Sequence, residues 1–157
     1  MKNKELLNKL EMEFNKIKEE LNFNSGLEEI DKIFFIKDYI FGIGFVSEKF
    51  SRQLCSRITD LYSSWMSYLH GLIMPNPQNI LNISEAKLFS QDEKTEINNL
   101  MKKAMELSSR HSLIGLEKNK QEESKFIDDA VLFWNDEFSL GLIKIMKKVN
   151  NAWRGLK

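Results

Sequence analysis

From Ser47 to Gly71 the chain reads SEKFSRQLCSRITDLYSSWMSYLHG, a run with no proline and with its one glycine at the end. Its large apolar residues, Phe50, Leu54, Ile58, Leu61, Trp65, Leu69 and Leu72 (the last just beyond it), are separated by 4, 4, 3, 4, 4 and 3 positions. Eleven residues in three turns lies close to the natural helical pitch, so this spacing predicts one long helix, from about Val46 to Ile73, with a nearly straight apolar face. A second pattern overlies the first. Ser47, Ser51, Cys55, Thr59, Ser63, Ser67 and Gly71 put a small residue at every fourth position, and residues four apart form one of the ridges along which helices pack. A four-residue step drifts by about 40° on a helix of 3.6 residues per turn, so the small ridge spirals while the large face stays on one side. The ridge leaves a shallow groove for a neighbouring helix, and its hydroxyls can return to carbonyls of the preceding turn. Two readings remain open. Either the long helix packs inside its own chain and the small positions relieve crowding, or Ser51, Cys55, Thr59, Ser63 and Ser67 receive a helix from a partner protein or a second copy.

The rest of the chain fits the same architecture. Pro75 and Pro77 stand together in MPNPQN and mark one hard break. Leu7, Leu10, Phe14, Ile17 and Leu21 alternate steps of three and four, predicting an amphipathic helix over residues 4–21. Ser25 with Glu28, and Ser90 with Glu93, have the form of capping boxes. The first opens a helix with Ile33, Ile36, Ile40 and Ile43 on one face and Phe34, Phe35, Tyr39 and Phe41 around much of the remainder, expected to be buried on most sides. Gly42 and Gly44 weaken that helix by about 1 kcal/mol each against alanine and place a turn before the long helix. QNILNISEAKLF keeps no period and reads as a connector. Ile97, Leu100, Ala104 and Leu107 predict a helix to about Arg110, and HSLIGLEKNKQEE an interruption. Glu122 to Trp134 and Leu140 to Arg154 predict the last two helices, with Gly155 as a cap. No segment alternates convincingly as a strand. The expected fold is one all-α domain over residues 1–157, a bundle of five or six helices around Ile33–Phe45 and the long helix.

With 157 residues, 42% of them hydrophobic, the chain can bury one substantial core. Its 23 Lys and Arg balance 23 Asp and Glu, so no global field recruits nucleic acid or an anionic membrane. Cys55 is the single cysteine and cannot close an internal disulfide, and the start MKNKELLNKLEMEF has no apolar signal core. Together these predict a reducing, cytoplasmic setting. The most apolar run, Ile33 to Val46, is shorter than a bilayer span and contains Lys37 and Asp38, so it reads as core and no membrane is expected.

Residue types capable of chemistry lack the spacing that chemistry needs. His70 and His111 each follow an apolar helix position by four, without HxxxH, ExxH or a second cysteine. Both are expected near helix ends, satisfying carbonyls rather than binding metal or acting as a base. The Glu-x-x-His pairs of ferritin-like di-metal bundles are absent. Glu122, Glu123, Asp128, Asp129 and Asp136 crowd one segment, and Glu122 and Asp129 share a helical face that could hold Mg²⁺ beside a phosphate. Lys125 between them points instead to a solvated, ion-paired face. Asp38, inside the most apolar helix, needs a partner that Lys37, Arg52 or Arg57 could supply. Lys49, Arg52 and Arg57, with Tyr62, Trp65 and Tyr68 further along, could join phosphate contacts to base stacking, although Glu48 and Asp60 dilute the patch. A second basic group, Lys144, Lys147, Lys148, Arg154 and Lys157, complements a helix C-terminus. No phosphate-binding glycine loop, nucleophile elbow or zinc motif is present.

The functional expectation is a non-catalytic helical interaction module, self-associating or a small subunit of a larger assembly, with no cofactor, metal or catalytic residue. The alternative is a nucleic-acid-associated accessory subunit binding through the Arg/aromatic patch. A carboxylate-metal hydrolase is third.

Overall fold

The structure, a computed structural model, describes residues 1–155, and no strand occurs among them. The elements are α1 (Lys2–Leu21), α2 (Leu27–Phe34), α3 (Ile36–Ile43), α4 (Phe50–Ile73), α5 (Ile80–Ala86), α6 (Gln91–Glu117), α7 (Lys120–Phe133), a π-helical turn (Trp134–Phe138) and α8 (Ser139–Trp153). The all-α expectation holds. The helices are more numerous than five or six because one expected helix is broken and one expected connector folds. The residues group into two compact units, one formed by Met1–Leu61 with Leu107–Leu132, the other by Tyr62–Glu106 with the segment from Phe133. Lys157, counted above in the C-terminal basic group, lies outside the described residues.

In the first unit α1 buries Leu10, Phe14 and Ile17, as its spacing predicts, and Phe14 meets Phe23 edge to face at 5.6 Å. Ser25 does not cap the next helix. Gly26 takes the N-cap position, without a side-chain bond, and the backbone N–H groups of Asn24 and Ser25 donate to the Asp128 carboxylate of α7 at 3.0 and 3.3 Å.

The helix expected to run unbroken from α2 through α3 breaks at Phe35, which adopts a left-handed conformation with φ 53° and ψ 47°. Two side chains satisfy the backbone groups that the break leaves open. Asp31 Oδ1 accepts the Lys37 N–H at 2.8 Å, and Arg57 Nε donates to the Phe34 carbonyl at 2.8 Å. Ile30, Ile33, Phe34, Ile36 and Ile40 are buried, but Phe35 and Ile43 are 51% and 39% exposed. The expectation of burial on most sides is therefore corrected. Asp38 is likewise exposed rather than buried, and Lys37 reaches Glu28 at 2.6 Å instead. Gly44, at φ 82°, ends α3 where the glycines predicted a turn.

On α4 the large buried residues are Phe50, Leu54, Ile58, Tyr62, Met66, Leu69 and Leu72, while Leu61 and Trp65 are only half-buried. Burial thus follows steps of four from Phe50 to Met66, and the buried face rotates instead of running straight. The cause at the centre is Tyr62. In the second unit it sits among Phe133, Trp134 and Phe138 at centroid distances of 5.8, 5.9 and 5.0 Å. The π-helical turn, closed by a Ser139 N–H to Trp134 carbonyl bond, sets those aromatics around the phenol. It also joins α7 to α8 without the expected gap.

QNILNISEAKLF is not a bare connector. Asn79 caps α5 by accepting the Asn82 N–H at 3.1 Å, and Asn82 Oδ1 accepts the Asn76 N–H at 2.7 Å. The Ser90 and Glu93 capping box forms as predicted, with bonds of 3.1 and 3.2 Å. HSLIGLE, expected to interrupt, continues α6 to Glu117, and Lys118 at φ 57° ends it.

Candidate functional site

The small ridge divides between the units. In the first, Ser51 and Cys55 are buried at 9% and 1% exposure by the chain itself, and Thr59 returns its hydroxyl to the Cys55 carbonyl at 2.9 Å. In the second, Ser63 is half-buried and Ser67 exposed, while a Cβ on Gly71 would collide with the Asn82 side chain of α5. Both ends of the ridge thus meet the chain's own helices.

The Arg/aromatic patch is divided the same way. Lys49, Arg52 and Arg57 belong to the first unit, Trp65 and Tyr68 to the second. Arg57 is committed to the Phe34 carbonyl and lies over the Tyr39 ring at 5.4 Å. Tyr68 donates to Glu85 at 2.8 Å, and Glu85 also accepts from Trp153 Nε1 at 3.1 Å. Burial, and then the Glu85 carboxylate, push the Tyr68 phenol up.

The acidic segment of α7 is not one solvated face. Asp128 holds the α1–α2 connection, Asp129 pairs with Arg110 at 2.9 Å, and Glu123 is buried at 3% exposure. No group of three or more metal-ligating side chains occurs among the described residues. His111 is not at a helix end either. It lies within α6, with Nε2 3.5 Å from Ser56 Oγ on α4, and its ring tilts against Phe126 at 5.8 Å. Burial, and next the Arg52 charge, hold it below its ordinary value, with Asp60 opposing them.

Arg52, Cys55 and Ser56 on α4, His111 on α6 and Glu123 on α7 therefore come together in the first unit, with Ser56 against His111 and the charges of Arg52 and Glu123 acting on Cys55. Arg52 Nη1, His111 Nδ1 and Glu123 Oε2 of this group, and Ser108 Oγ on α6, are buried with no hydrogen-bond partner. Burial, then the Glu123 charge, push the Cys55 thiol far up, so the thiolate needed for nucleophilic chemistry does not form near neutral pH.

A second feature of this unit is apolar and exposed. Phe35, Tyr39 and Ile43 are four apart and form one ridge of α3, continued by Phe45 at 56% exposure. A left-handed phenylalanine costs about 1–2 kcal/mol, and leaving its ring in water forgoes burial worth about another 1.5–3 kcal/mol. The sequence signal was present in IFFIKDYIFGIGF, which has more large apolar side chains than one short helix can bury.

Comparison of the chain with protein-family models, curated proteins and solved structures finds no match. Among the described residues no helix is long and apolar enough to cross a membrane.

Proposed function

We propose that the protein is a non-catalytic helical interaction module that associates with a second copy of itself through the α3 ridge. The observation that carries this reading is Phe35, where an unfavourable backbone conformation and an exposed aromatic ring coincide, and where Asp31 and Arg57 hold the break open. Glu28, Glu29 and Asp38 are exposed around the ridge, against Lys32 and the Lys37 that pairs with Glu28. The chain also carries a surface of complementary character. On α8, Leu140 and Ile143 are 59% and 51% exposed, beside exposed Lys144 and Lys147. An acid-bordered apolar ridge facing a base-bordered one gives a heterologous contact, in which charge sets register and apolar burial supplies affinity.

Sedimentation velocity of the full chain tests this. Leu140→Glu lies outside the ridge and should abolish association by placing a carboxylate against Glu28, Glu29 and Asp38, with helicity unchanged. Association that survives this change contradicts the proposed contact.

A further inference from the structure

The second unit contains a pocket of about 290 Å³ between the start of α6 and α8. Phe89, Ile97 and Ile145 line it and keep 7%, 3% and 7% of their surface open, and the half-buried Leu100 lines it beside them. A cavity of about 150 Å³ with such a lining takes benzene, so this one has room for a phenyl ring and the carbon that carries it. Four charged side chains border the space and pair off, Lys148 with Glu93 at 2.7 Å and Lys144 with Glu96 at 3.3 Å. No other polar side chain lines it. The pocket therefore selects neither an anion nor a cation, and an uncharged apolar group is what it can hold.

A ring suits it better than an aliphatic chain. It can meet Phe89 edge to face. The Lys144–Glu96 pair, with side chains 74% and 68% exposed, is weak, which leaves the Lys144 ammonium free to move over the face of an entering ring.

Three aromatic rings stand mostly exposed among the described residues, those of Phe35, Phe45 and Trp153. Trp153 is held by Glu85, and Phe45 lies between α3 and α4, outside any helix. Phe35 differs from both, because Asp31 and Arg57 fix the backbone on either side of it. A ring presented in advance loses little freedom on binding, as an interface anchor requires.

We propose that this pocket receives the Phe35 ring of a second copy. The pairing rests on self-association through α3 and gives its anchor a seat. Lys144 belongs both to the pocket and to the exposed α8 surface of Leu140 and Ile143, so a ring seated in the one brings Tyr39 and Ile43 over the other. Phe35 to Ile43 and Leu140 to Lys148 each cover eight residue steps, about 12 Å of helix, and the ridge can lie along α8 with Asp38 beside Lys147.

Light scattering of the full chain tests this with Leu100→Trp, which fills the pocket, and Phe35→Asn, which removes the ring. Each variant alone should stay at one copy with its helicity intact. Mixed in equal amounts they should form a complex of two copies and no more, because one keeps the pocket and the other the ring. Gly141→Ala is a milder second variant. Its Cβ would lie 2.8 Å from Leu100 Cδ2, so Leu100 must move toward the cavity and association should weaken. If wild-type chain associates and Leu140→Glu prevents it, while Leu100→Trp and Gly141→Ala assemble as wild type does, the pocket is not the seat and self-association through α3 stands. A mixture that stays at one copy also overturns the inference. Wild-type chain that stays at one copy throughout overturns both.

Discussion

Both units pair charged side chains, Lys37 with Glu28 and Arg110 with Asp129 in the first, and they differ in what they leave unpaired inside. In the second, polar side chains pair off. Tyr68 and Trp153 both donate to Glu85, Lys148 holds Glu93 at 2.7 Å, and Lys103 pairs with Glu137. In the first, Arg52, Ser108, His111 and Glu123 each keep a buried polar atom without a partner, and Phe35 keeps a strained backbone under an exposed ring. A buried polar atom left unsatisfied costs about 1–3 kcal/mol. A unit that bears several such costs is shaped by something other than its own stability, and strain and unmade bonds gather where binding takes place. By this measure the first unit carries the costs that binding would explain, and the second contributes the α8 surface of the proposed contact.

The contrast can be broken most severely at Tyr62. Its ring is the centre of the aromatic cluster in the second unit, and Tyr62→Ala should cost about 3–5 kcal/mol in urea unfolding. A loss below about 1 kcal/mol would show that the cluster is not the structural centre of that unit. Ser90→Ala removes half of a formed capping box and should cost about 1 kcal/mol, within the usual range for caps.

Acid should separate the units. His111 is held below its ordinary 6.5, first by burial, so the unfolded chain binds its proton more readily than the folded one. Its contribution is full above pH 6.5 and is lost as pH falls through its folded value. Glu93 is held below its ordinary 4.5, first by the Lys148 hydrogen bond, so its contribution is full above pH 4.5 and is lost only at lower pH. The three tryptophans, Trp65, Trp134 and Trp153, all belong to the second unit and report on it alone. Amide protection in the first unit, taken relative to the intrinsic exchange rate at each pH, should fall below pH 6.5, while tryptophan emission holds until below pH 4.5. Simultaneous changes would contradict the division. The smallest effect is expected at Phe35, where Asn accepts the left-handed conformation readily. Phe35→Asn should leave thermal stability equal or raised by up to about 1 kcal/mol.

Much of the architecture was legible in the sequence, because it rests on local rules. The spacing of Leu10, Phe14 and Ile17, the Ser90–Glu93 box, the proline break and the Gly44 turn are each decided within one or two turns of chain. The failures involve partners distant in sequence. Ser25 was lost as a cap to Asp128, 103 residues away. The straight face of α4 was lost to aromatics that gather on Tyr62 from the π-helical turn. The break at Phe35 has a partly local cause in Asp31, but a positive φ on phenylalanine contradicts its propensity and could not be read from it. Glu123 resembled its solvated neighbours because charge pattern alone does not say which side of a helix is covered. At Gly71, the last position of the small ridge, the approaching element is α5 of the same chain.

The central claim is that the α3 ridge is a contact between copies, and solution mass by light scattering over a concentration series tests it most directly. Wild-type chain should rise above the 18.5 kDa of one copy as concentration increases, and Phe35→Asn should stay at one copy with its helicity intact. A wild-type chain that remains at one copy throughout, or a Phe35→Asn chain that assembles as wild type does, would contradict it.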